Sequence, residues 1–102
     1  MAESVTLSMT QAKRILERHL PELRCSYHVE SLGIFGSYVR DEQSPKSDLD
    51  ILVTFSEPPG LIQFVALENH LSDLLEVQVD LVMKNALKPQ LGERILQEVV
   101  PV

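Results

Sequence analysis

Asp48 and Asp50 stand two residues apart, and Gly36-Ser37 precedes them with ten residues in between. A third acid, Asp80, lies inside a later apolar segment. Successive side chains of an extended chain point to opposite faces, so Asp48 and Asp50 share one face while Leu49 and Ile51 take the other. Two carboxylates held close disfavour each other's ionisation, and a hard cation with oxygen ligands relieves them; Mg2+ is the usual intracellular choice. Asp80 on a neighbouring strand would let three carboxylates hold two ions. A strand that stops at Gly36 and turns into a helical segment directs backbone N–H groups and the Ser37 hydroxyl outward, which suits phosphate oxygens. Arg40 and Lys46 in the same segment fit phosphate neutralisation, and fit solvated surface charge equally well. The chemistry these residue types imply together is metal-assisted transfer of a nucleotidyl group. Each has a plainer reading when taken singly: a solvated acid pair at a strand start, an edge-strand aspartate, a helix N-cap.

The elements that must position these residues follow from periodicity. Ser8-Met9-Thr10-Gln11 has the form of a capping box, and Ala12, Ile15, Leu16 and Leu20 recur at helical spacing, predicting a helix over about residues 9 to 20 that stops at Pro21. Val29 to Phe35 reads as a strand ending at Gly36-Ser37, followed by a helical turn over Tyr38 to Glu42 before Ser44 and Pro45. Asp48 to Phe55 is the second strand. Leu61, Phe64, Val65, Leu67, Leu71, Leu74 and Leu75 keep a helical period, which gives way at Val77, Val79 and Leu81 to the alternation of a third strand carrying Asp80 on its less apolar face. Pro89 opens a last helix with Leu91, Ile95, Leu96 and Val99 on one side. The expected fold is α/β (α+β): a small mixed three-stranded sheet packed with helices, in one domain spanning residues 1–102.

Composition narrows the function classes. A chain of 102 residues with 44% hydrophobic content can bury one core, with no room for a second domain that selects a substrate. Fifteen acidic residues against nine basic ones give a net charge of −6, which argues against general DNA or RNA binding. Cys25 is the single cysteine, so an internal disulfide and a cysteine-rich zinc site are excluded, and packing is its expected role. No apolar run approaches the roughly 18 residues of a membrane span, and Glu3 and Ser4 do not suit a signal peptide; a cytoplasmic protein is expected. His19, His28 and His70 show no ligand spacing and are expected to be structural or exposed.

Gly36-Ser37, ten residues, Asp48-Leu49-Asp50 and the later Asp80 together resemble the GS-x10-D-x-D signature of the DNA polymerase beta-like nucleotidyltransferase superfamily. Within it the chain is most similar to the minimal nucleotidyltransferases, small stand-alone proteins often encoded beside a HEPN-domain protein as a toxin-antitoxin pair. The resemblance implies ATP as substrate, with its triphosphate against Gly36, Ser37 and Arg40, and two Mg2+ ions on Asp48, Asp50 and Asp80. It implies AMP transfer to a hydroxyl, a tyrosine, of a HEPN-type toxin, and an antitoxin that can form a hetero-oligomer with that toxin. Two alternatives stay open: an antitoxin that neutralises by binding alone through an apolar helix face, and a small-molecule (antibiotic) nucleotidyltransferase. The latter usually carries an additional helical domain for which this chain has no room.

Overall fold

The computed structural model describes residues 8–40, 48–87 and 89–102. Helix α1 runs Met9–Tyr27 and is followed by β1 at Val29–Phe35 and a 3-10 turn at Gly36–Tyr38. Then come β2 at Leu49–Phe55, α2 at Leu61–Leu75 and β3 at Val79–Met83. A second 3-10 turn at Lys84–Ala86 leads to α3 at Pro89–Glu98 and β4 at Val100–Pro101.

The capping box forms as expected: the Gln11 N–H donates to Ser8 Oγ and the Ser8 N–H donates to Gln11 Oε1, both at 3.1 Å. The helix does not stop at Pro21. Proline removes one hydrogen bond and costs about 3 kcal/mol inside a helix, but Leu23 beyond it is wholly buried, a gain of about 1.5–3 kcal/mol. Leu16, Leu20, Leu23 and Tyr27 continue the apolar stripe at helical spacing and pack on the common core. The helix ends where His28 takes a left-handed conformation at φ 59° and its N–H reaches the Leu23 carbonyl. This extension carries Cys25 onto the solvent side of the last turn, so it is exposed rather than packed.

The sheet is mixed and four-stranded, in the order β3-β2-β1-β4, one strand more than expected. β1 and β2 are antiparallel, β2 and β3 are parallel with α2 as their crossover, and β4 runs antiparallel to β1. β4 has two residues, one a proline, and so has no strand signature; its place on the sheet edge is where proline is tolerated. Its close approach depends on Gly33, where a Cβ would lie 2.5 Å from Val99 Cγ2. Strand β3 starts at Val79 rather than Val77 because Glu76 caps α2 in the left-handed region and Val77-Gln78 completes the turn. The Leu49 N–H bonds the Gln78 carbonyl at 2.9 Å, and β2 begins there, one residue after Asp48.

Alternation divides the sheet cleanly. Leu32, Ile34, Leu49, Ile51, Val53, Val79 and Leu81 meet Ala12, Leu16 and Leu23 of α1 and Leu67, Leu71 and Leu75 of α2 in one core. Phe35, Asp50, Asp80 and Val82 line the other side of the sheet, with Ile95 and Glu98 of α3 across from them. The stripe read along α2 is therefore split: Leu67, Leu71 and Leu75 are core, while Leu61 (79% exposed), Ile62 (87%) and Val65 face solvent. Among the described residues no helix is long and apolar enough to cross a membrane. Glu42, Ser44, Pro45 and Lys46 lie outside the described residues, as does the side chain of Leu91.

Candidate active site

Parallel pairing of β2 with β3 puts Asp50 directly beside Asp80 in the register. Both point away from the core, as the alternation predicts. They line a cleft of about 470 Å3 between the sheet and α3. Gly36, Arg40 and Glu98 line it too, and Phe35, Val82, Leu87 and Ile95 supply an apolar wall. The cleft thus gathers Gly36, Arg40, Asp50 and Asp80. Asp48 is exposed at the entry to β2, close enough for its charge to act on Asp50. Ser37 is half-buried in the 3-10 turn beside Gly36 and is not among the residues lining the cleft.

Gly36 has φ +83°, a conformation that side-chain-bearing residues rarely adopt, and a Cβ there would run into the Asp50 carboxylate. Only glycine lets the turn close over this acid. The Gly36 N–H donates to Glu98 Oε2 at 2.8 Å, and Arg40 Nη1 donates to Glu98 Oε1 at 2.7 Å. An anion therefore already sits on the two donors that the sequence assigns to phosphate. The Gly36 N–H, and then the Arg40 side chain, hold the Glu98 carboxyl below the usual range, against a desolvation that raises it. Glu98 lies 62 residues from Gly36, and no motif spacing could have found it. Tyr38 is the other unforeseen neighbour: it is buried, and burial, then the Asp48 charge, push its hydroxyl pKa up.

Electrostatic strain falls on Asp50. Burial, then Asp80, then Asp48, raise its pKa from 3.8 to about 6. Asp80, although it lies inside an apolar segment of the sequence, is less enclosed. Because β3 is an edge strand, Asp80 is exposed and its charge is solvated. Between pH 4 and 6 the native protein binds more protons at Asp50 than the unfolded chain does, so stability falls as pH rises through that window. The melting temperature of the metal-free protein should decline across it, and Asp50→Asn should flatten that decline. A wild-type curve as flat as the variant's would contradict the assignment of the strain to Asp50.

The donor set fits a hard divalent cation: acids on adjacent strands, one of them repelled by its neighbours, with oxygen as the donor atom throughout. Among the described residues no group of three or more acidic, histidine or cysteine side chains forms a ready-made metal cage.

In the cleft a glycine turn whose N–H holds a carboxylate, with an arginine beside it, meets two acids on neighbouring parallel strands. The nucleotidyltransferase domain family matches residues 11–102. The chain belongs to that family, as a minimal nucleotidyltransferase. It is 47% identical over 96 residues to the protein adenylyltransferase MntA of Thermococcus cleftensis, covering 94% of this chain and 97% of that protein. A solved structure provisionally described as a minimal nucleotidyltransferase superposes with a TM-score of 0.79 at 33% identity, over 94% of this chain and 97% of the other. The fold is also shared with a chain in the complex of a tri-AMPylated HEPN toxin with its MNT antitoxin from Shewanella oneidensis. That likeness has a TM-score of 0.64 at 21% identity and covers 88% of this chain and 70% of that one.

Proposed function

We propose that this nucleotidyltransferase moves AMP from ATP to a hydroxyl, a tyrosine side chain, of a HEPN-type toxin, and so acts as the antitoxin of a cytoplasmic pair. The observation that carries the reading is the cleft itself, where the Gly36 N–H and Arg40 face Asp50 and Asp80. The Thermococcus relative's name supports a protein as acceptor, and the fold likeness to an antitoxin seated on an AMPylated HEPN toxin supports the partner.

In this mechanism the Gly36 N–H, the Ser37 hydroxyl and the Arg40 guanidinium hold the triphosphate. The apolar wall of Val82, Leu87 and Ile95 offers the nucleoside a water-poor surface. Asp48, Asp50 and Asp80 would hold Mg2+, two ions in the full arrangement, which supplies positive charge against the phosphate oxygens. The acceptor oxygen forms a bond to the α-phosphorus, the bond from that phosphorus to the α–β bridging oxygen breaks, and pyrophosphate leaves; the hydroxyl proton passes to water. Positioning and charge compensation account for most of the rate in such transfers. The added phosphodiester places negative charge and bulk on the toxin, which hinders binding of an RNA phosphate.

A second reading, neutralisation by contact alone, is favoured by one feature, the exposed Leu61, Ile62 and Val65 at the start of α2. Isotope position separates the two. With the adjacent gene's product as acceptor, ATP labelled at the α-phosphate should label the protein, and ATP labelled at the γ-phosphate should release its label as pyrophosphate. A partner that is inhibited yet carries no α-label would leave contact alone as the function.

A further inference from the structure

Among the described residues lining the cleft, Glu98 is the one acid that neither the motif nor the mechanism uses. It closes the last turn of α3, and its carboxylate spans two donors at once, taking the Gly36 N–H on Oε2 at 2.8 Å and Arg40 Nη1 on Oε1 at 2.7 Å. A phosphoryl group would address the same pair with two oxygens and the same sign of charge. Both cannot be seated together, because the Gly36 N–H is a single donor directed at one oxygen.

We propose that Glu98 is a built-in competitor for the phosphate position, holding Gly36 and Arg40 in the nucleotide-free protein and giving way when a triphosphate enters. The inference rests on reading Gly36 and Arg40 as phosphate-holding residues. Release is feasible in this geometry. The Glu98 side chain is 23% exposed, so turning outward neither buries a charge nor opens a core cavity. Arg94 stands one helical turn back on α3 and also lines the cleft, providing an (i, i+4) partner for the displaced carboxylate. Repulsion within the cleft helps, since Glu98 shares it with Asp50 and Asp80. The consequence is a nucleotide affinity set below what the cradle alone would give, with the donors kept aimed until substrate arrives.

Calorimetric titration of the full chain with ATP, with inorganic tripolyphosphate and with adenosine, each in Mg2+, tests this. Glu98→Gln keeps the side-chain shape and one acceptor for the Gly36 N–H while removing the charge, so it is paired with Glu98→Ala in case truncation disturbs folding. Loss of a charge-assisted pair should tighten ATP and tripolyphosphate by about 10-fold in Glu98→Gln and leave adenosine unchanged. Tripolyphosphate binding that is unchanged or weaker in both variants would overturn the competitor role. If Arg40→Ala then still weakens binding, the phosphate site stands and only the role of Glu98 falls. Should neither the parent nor the Glu98 variants bind ATP or tripolyphosphate while remaining folded, the assignment of Gly36 and Arg40 to phosphate fails, and this inference with it.

Discussion

Replacing Asp48 and Asp50 together by alanine should lower AMP transfer by about 10³-fold, because a bound cation contributes several kcal/mol of charge stabilisation and each 1.36 kcal/mol is tenfold in rate. The fold should survive. Neither side chain belongs to the core, which is built on the opposite face by Leu49, Ile51 and Val53. Asp50 is moreover held against its preferred charge state by burial and by Asp80 and Asp48. Removing it takes away a repulsion, so the metal-free variant should melt no lower at pH 7 than the parent. Mg2+ should raise the melting temperature of the parent, and the variant should lose that response. Transfer at the parental rate in the double variant would refute the cation assignment. A collapsed melting temperature would show that the pair has a structural role this packing does not give it.

Gly36→Ala carries the second large effect. The backbone there has φ +83°, and a Cβ would meet the Asp50 carboxylate, with its Cγ 2.9 Å away. The left-handed conformation alone costs a side-chain-bearing residue roughly 1–2 kcal/mol. For a domain of this size each kcal/mol shifts the melting temperature by about 4–8 °C. Relief of the clash requires either the turn or the Asp50 carboxylate to move. Displacement of a reacting group by about 1 Å can cost on the order of 10²-fold in rate. A lowered melting temperature with transfer reduced by about that factor is the expected pair of results. Gly60→Ala is the control for transfer, since a Cβ at Gly60 meets nothing within 4 Å. Should Gly36→Ala retain both stability and full transfer, the close approach of the turn to Asp50 would have no functional weight.

These residues also show what was legible in the chain before folding. Side-chain alternation placed Asp50 and Asp80 on the face away from the core, and pairing of β2 with β3 then set them side by side. Gly36 was legible as a turn glycine, but its contact with Asp50 depends on the antiparallel register that pairs Phe35 with Asp50. Which acid bears the strain depends on strand order, and no local pattern says that β3 is an edge. Proline signalled a stop at Pro21 that the burial of Leu23 overrides. β4 is a pairing without a propensity signal, formed because the chain after α3 meets the open edge of β1 at Gly33. Glu98 carries no motif spacing of its own, and only the approach of α3 to the Gly36 turn gives it a role.

Covalent transfer of AMP in this cleft is the step that sets the proposed function apart from neutralisation by contact. The most direct test is the intact mass of the HEPN-type partner after incubation with this protein, ATP and Mg2+. The expected result is an increase by whole AMP units, located on tyrosine, which disappears with Asp48→Ala/Asp50→Ala or with a chelator. A partner that is silenced with its mass unchanged would contradict it.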